Sequence, residues 1–330
     1  MTQMYGKWPL IITIFLLLSG LLVAQDETGV PILLQTESEA QKQAQQSQFV
    51  AAFPDATLTW VEEGKDADIV IALQDDDAVS VTTRQNALLR LSPIFEPAPP
   101  VFIPNNEDVP AITALLWQLV QGDCTIAEEE TALDLIPSDI RAVYEGNCQL
   151  IAGLTPDEPD EDRLLAAAHS FEKALSLRAA KINRIWLVHE AGDKFFTREL
   201  ISLEILNPQA NASEKAFWYG KRAQFYALDF DFQAAQRDLD EAISLDDDNP
   251  LYPTLKGEVY LLLYEWNNAH DAFEAALMLN SDYAPAYFQR GILLSTMTET
   301  EGANADFSRY LLLEPRGVYA ALARQYGGEG

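Results

Sequence analysis

Two cysteines, three histidines and two runs of three aspartates are the side chains of this 330-residue chain whose types and spacing could do chemistry. Cys124 and Cys148 have no histidine close by to complete a zinc site. They form either a disulfide or two buried free thiols. Both fall near the ends of adjacent predicted helices, and the disulfide is the expectation in an oxidising compartment. His169, His189 and His270 are scattered, each inside a helical segment, and none is assigned a metal or general-base role. Asp75-Asp76-Asp77 and Asp246-Asp247-Asp248 lack the alternating ligands, central glycine and closing glutamate of a calcium loop. The second run falls where aspartate caps helices and favours turns. The chain has no glycine-rich phosphate loop, no Gly-x-Ser-x-Gly elbow and no His-Glu-x-x-His pair. No catalytic, cofactor or metal residue is assigned, and binding rather than catalysis is expected.

Charge narrows the partner. Acidic residues number 51 against 22 basic ones, for a formal net charge of −29. Such a chain repels phosphate, which argues against a nucleic-acid partner and favours a protein or peptide with an apolar or basic segment. At the N-terminus a polar stretch with Lys7 precedes an uncharged apolar run, Trp8–Ala24, followed by Gln25-Asp26-Glu27. This is the pattern of a signal peptide, residues 1–24, or of a signal anchor if it stays uncleaved. Either way residues after 24 are expected outside the cytoplasm, with membrane contact only through an uncleaved segment.

The elements that would position a binding site show as an internal repeat. Segments 216–249, 250–283 and 284–317 align at a spacing of 34 residues. Seven positions in stand Ala223, Gly257 and Gly291, and three further on Tyr226, Tyr260 and Leu294. Ala235, Ala269 and Ala303 follow, then Leu239, Phe273 and Phe307, then Ala242, Ala276 and Tyr310. Polar or proline turns close each unit. This pattern resembles the tetratricopeptide repeat, a helix-turn-helix that stacks on its neighbours. A small residue lets the two helices approach closely, and the bulky one fills the gap between them. Residues 318–330 read as a capping helix and a frayed tail.

Residues 108–215 read as degenerate hairpins of the same kind: Val109–Gly122 with a helix from Ala127, Ile140–Leu154 with Arg163–Leu177, and Lys181–Gly192 with Phe195–Leu206. Residues 26–105 differ. Pro31–Gln35, Ala56–Val61, Ala67–Leu73, Val79–Thr83 and Leu88–Leu91 read as strands and Ser38–Ala52 as a helix. Prolines from Pro93 to Pro104 mark an exit linker. The expected fold is mainly α, with a C-terminal α-solenoid preceded by a small α/β domain.

In the family that this pattern resembles, the first helix of each hairpin lines a concave groove for a peptide. Carried over by alignment, that lining is Phe217, Gly220, Gln224 and Ala227, then Leu251, Thr254, Glu258 and Leu261, then Phe288, Ile292 and Ser295. Members that grip a terminal carboxylate place basic or amide residues where this chain has Gly220, Thr254 and Phe288. An apolar ligand segment is therefore expected, on a scaffold that recruits a protein partner. The alternative is a ligand site in residues 26–105 with the repeats as a spacer.

Overall fold

A computed structural model of the chain describes residues 30–35, 39–53, 58–73, 79–103, 108–125, 131–155 and 159–327. The apolar segment before Ala24, the Asp75–Asp77 run and residues 328–330 lie outside the described residues. The chain divides into two compact units, residues 1–187 and 188–330.

In the first unit β1 (Val30–Gln35) is apolar and buried along all but its last residue, as a strand with neighbours on both edges must be. It pairs in parallel with β2 (Leu58–Trp60) on one side and β3 (Ile69–Leu73) on the other. Between β1 and β2 runs α1 (Glu39–Ala52), whose Phe49 meets Trp60 edge-on at 6.3 Å. β4 (Val79–Thr83) joins β3 antiparallel and buries alternate residues, and β5 (Val101–Ile103) closes the order β2-β1-β3-β4-β5.

Two expectations are corrected here. Leu88–Leu91 is not a strand but part of the helix α2 (Asn86–Leu91), which buries Leu88. It stops at Ser92, held extended because Pro93 follows. The proline-rich exit is not a free linker either, because it contains β5. Short proline-flanked strands are tolerated at a sheet edge, where fewer backbone donors need partners.

The helices that follow belong with this sheet. α3 (Val109–Val120) packs on α1 and β4, and α2 packs on α4 (Ser138–Leu154). The helix expected from Ala127 would start among residues 126–130, which lie outside the described ones; the described residues that follow, Thr131–Leu135, form a 3-10 helix. Cys124 and Cys148 are disulfide-bonded, which fastens the chain after α3 to α4. α4 pairs with α5 (Glu161–Glu172).

Buried amides secure the proline-rich strand. The Gln85 side chain donates to the Ala98 carbonyl (3.1 Å) and accepts from its N–H (2.9 Å). Asn147 donates to Gln85 at 3.1 Å, and Asn183, on α6 (Arg178–Glu190), donates to Asn147 at 2.7 Å. Asn183 also brackets the Glu96 backbone, accepting from its N–H and donating to its carbonyl at 2.8 Å each. All three amides are buried, so each bond replaces water that cannot enter.

In the second unit α7 (Lys194–Ile205) precedes three hairpins: α8 (Ala212–Leu228) with α9 (Phe232–Leu245), α10 (Leu251–Leu262) with α11 (Trp266–Leu279), and α12 (Ala284–Thr296) with α13 (Thr300–Leu313). The first begins four residues before its aligned start, because Asn211 and Glu214 form a reciprocal capping box. In each hairpin the turn is the same. The N–H groups of Asp231, Glu265 and Glu299 reach back to the carbonyls of Tyr226, Tyr260 and Leu294. The residue before each, Phe230, Tyr264 or Thr298, is left-handed at φ 61, 61 and 65°. This is a Schellman ending, and Gly122 and Gly192 (φ 91°) make it at α3 and α6.

Inside the hairpins the aligned small residues meet the aligned bulky ones. A Cβ on Gly257 would lie 2.4 Å from the Phe273 ring, and one on Gly291 2.8 Å from Phe307. The core then passes from hairpin to hairpin. Ala223, Ala235 and Leu239 pack with Leu255 and Val259 of the next unit, and Leu261, Ala269 and Phe273 with Leu293 of the one after. α14 (Ala320–Gly327) covers the end, with Tyr326 stacked against Phe307.

Candidate functional site

The first helices α8, α10 and α12 carry the candidate lining, and the structure divides it. Phe217, Gln224, Leu251 and Glu258 are partly exposed. Thr254, Phe288 and Ile292 are buried within the array. Thr254 turns its hydroxyl back to the Pro250 carbonyl at 2.8 Å. Phe288 is sealed by Tyr319, whose ring stacks on it at 4.3 Å and 6° between planes, with Phe307 and Tyr310 at its sides. These three pack one helix against the next. Of the other aligned positions, Leu261 is buried and Ser295 exposed, and a Cβ on Gly220 would lie 3.0 Å from Tyr252.

Glu258 is the chemically distinctive member. Its Oε1 accepts a hydrogen bond from Gln289 Nε2 at 2.9 Å. Among the described residues it has no cationic partner. Burial pushes its carboxyl up to about 7, a rise that the Gln289 bond only partly offsets. Tyr283 and Tyr319 lie close enough for the Glu258 charge to add to the burial that raises both phenols. Tyr319 lies just past Gly317, where the third repeat ends. One further period of 34 residues puts Tyr319 in register with Phe217 and Leu251, and Arg324 in register with Arg222, Lys256 and Arg290.

Those basic residues are already engaged. Arg222 makes a two-pronged bond to Asp238 at 2.7 and 2.8 Å, and Arg290 makes the same bond to Asp306 at 2.7 Å twice. At the corresponding place in the middle unit Ala272 replaces the aspartate, and Lys256 turns to Asp240 of the preceding hairpin at 2.5 Å. Arg290 also reaches Glu274 of the preceding hairpin. The row therefore cross-links neighbouring hairpins.

A second charge cluster surrounds Asp229, which accepts from Lys194 and Arg198 at 2.5 Å each and from His189 at 3.2 Å. Burial pushes its carboxyl up, but these donors outweigh burial and hold it below the usual range. His189 is raised by Glu190, against burial, and further by Asp229. His189 thus serves as a structural partner of Asp229, with its protonated form favoured. Elsewhere a cavity of about 340 Å³ opens beside the α9–α10 turn, lined by Ile243, Asp246, Pro253, Ala275 and Met278 among others. Among the described residues no group of three or more His, Cys, Asp or Glu is placed to hold a metal ion, and no helix is long and apolar enough to cross a membrane.

No protein-family model and no curated protein matches the chain. Among solved structures it is similar to TTC0263, a tetratricopeptide protein of Thermus thermophilus, at 19% identity over 57% of this chain and 96% of that one, with a TM-score of 0.41. It is also similar to the first such domain of Spaghetti (RPAP3) bound to the HSP90 peptide SRMEEVD, at 26% identity over 34% of this chain and 91% of that one (TM-score 0.32). A third is the second such domain of human RPAP3 in complex with the HSP70 peptide SGPTIEEVD, at 22% over 36% of this chain and all of that one (TM-score 0.32). The 34-residue period, the repeated Schellman turn and the recurring small-on-bulky contact make the chain from Ala212 to Leu313 an array of tetratricopeptide-type hairpins.

Proposed function

We propose that this array is the docking surface of an exported scaffold, holding an extended or helical segment of a partner protein along the face of its first helices. The carrying observation is that Phe217 and Leu251, one repeat apart, keep apolar surface partly exposed while the positions beside them are closed by packing. Apolar side chains in a repeating row suit alternate anchors of a bound segment. Two RPAP3 domains are described with acidic peptides bound. That chemistry does not carry over, because Gly220, Thr254 and Phe288 supply no cation for a carboxylate. Export rests on the N-terminal apolar segment, and the Cys124–Cys148 bond suits an oxidising compartment.

The test is photo-crosslinking in cells from the full chain, with a photoreactive residue at Leu251 and, as control, at Asp271, exposed on α11. A discrete partner captured from Leu251 and not from Asp271 is expected. Equal capture from both, or none from Leu251, overturns the reading. N-terminal sequencing of the same protein shows whether residues 1–24 are removed.

A further inference from the structure

We propose that Glu258 is the receptor for a cationic side chain, lysine or arginine, of the segment that docks on the first helices. The proposal rests on the docking reading above and adds the ligand chemistry at its centre. Glu258 Oε1 is taken by Gln289, whereas Oε2 receives no hydrogen bond from the described residues, and the residue is partly exposed. A carboxylate with one oxygen held and the other open is oriented for a donor from outside. Tyr283 and Tyr319 lie near enough to feel its charge, so the carboxylate sits in aromatic surroundings. Leu251 and Phe217 leave apolar surface for the neighbouring side chains of the segment.

The basic groups of the elements around it are directed elsewhere. On α8, Lys221 lies over the Phe217 ring at 5.4 Å and Arg222 is bound to Asp238. Lys256 holds Asp240, Arg290 holds Asp306, and on α14 Arg324 donates to the Pro315 carbonyl. The phenols of Tyr283 and Tyr319 also feel the Glu258 charge, and burial raises both, so they are neutral at physiological pH. A chain of net charge −29 also draws cationic segments toward it at long range.

Because burial raises the Glu258 carboxyl to about 7, the empty site is part-protonated near neutral pH. A bound cation favours the ionised form, so binding releases a proton and tightens as pH rises. For one such group the affinity gain from pH 6 to pH 8 is about 10-fold.

Two immobilised 12-residue peptide libraries test this on the full chain, both with randomised apolar residues around a central position. One has arginine there and the other citrulline, which keeps the shape and loses the charge. The arginine library should be retained about 10-fold better at pH 8, with the margin shrinking at pH 6. Glu258→Gln, shown to be folded by its melting curve, should abolish the margin. Equal retention of the two libraries, or a margin that survives E258Q, overturns the Glu258 role while leaving the docking reading in place. Retention of neither removes both.

Discussion

Gly146 lies so close to Phe171 that a Cβ on the glycine would sit 2.4 Å from the ring, the same distance as for a Cβ on Gly257 facing Phe273. The first pair joins α4 to α5 and the second joins α10 to α11. The hairpin of the first unit is therefore held at its crossing point by the same contact as the second repeat. It differs in the length of its connector, residues 155–160, of which 156–158 lie outside the described residues.

Gly146→Ala is expected to destabilise the first unit by about 2 kcal/mol. Alanine would normally favour a helix by about 1 kcal/mol over glycine. Here the methyl overpacks a fully buried ring with no room to move. Urea unfolding of the single variant and of Gly146→Ala with Phe171→Leu checks it. If the contact is the cause, the double variant is more stable than the sum of the two single losses implies.

Asn183→Ala is expected to cost about 2 kcal/mol. Removing the amide strands Glu96 N–H and the Asn147 carbonyl oxygen in a region water does not reach. Amide hydrogen exchange at Glu96 and Ala98 should rise well before exchange in β1. Slow exchange at those two positions in the variant would show that the segment is held by something else, such as the Phe95–Trp186 contact at 4.6 Å.

These residues show what the sequence could and could not reveal. Gly257, Phe273 and their counterparts recur at a fixed offset, so packing demands wrote themselves into a period. Gly146 and Phe171 meet the same demand, but the longer connector breaks the spacing that would expose them. Leu88–Leu91 is too short for any period to separate helix from strand, and the deciding residue is Pro93 just beyond it. Val101–Ile103 forms its strand by tertiary pairing with β4 despite the prolines around it. Asn147 and Asn183 are single amides, and nothing in their flanks marks them as buried partners. At the candidate site, Glu258 was legible from its aligned position. Its neighbour Tyr319 was not, because that residue lies past the last complete repeat.

Thr298→Gly is expected to stabilise the array by roughly 1 kcal/mol. The turn holds a β-branched residue at φ 65°, a conformation that glycine adopts without a Cβ penalty. Phe230 and Tyr264 share that strain, but their rings rest edge-on against Phe232 at 6.0 Å and Trp266 at 5.2 Å. Phe230→Gly and Tyr264→Gly should therefore gain less than Thr298→Gly in thermal unfolding. An equal gain at all three positions would mean that the aromatic contacts contribute nothing.

Asp229 sets the pH range over which the second unit is most stable. Its carboxyl is held low, so its contribution is present above the ordinary aspartate value near 4 and is lost as pH falls through its depressed folded value. His189 is held high, so its contribution is complete below about 6.5 and fades as pH rises through its raised folded value. Stability from this cluster should thus be greatest in mildly acidic solution. Asp229→Ala leaves Lys194, Arg198 and protonated His189 facing one another and is expected to cost about 3 kcal/mol at pH 5.5. At more alkaline pH, above the raised His189 value, the loss should be smaller, because the imidazole is then neutral and no longer needs the carboxylate. Melting curves of D229A and the parent at the two pH values measure the difference. A loss that is the same at both would remove His189 from the cluster and leave Lys194 and Arg198 as the only cations that Asp229 serves.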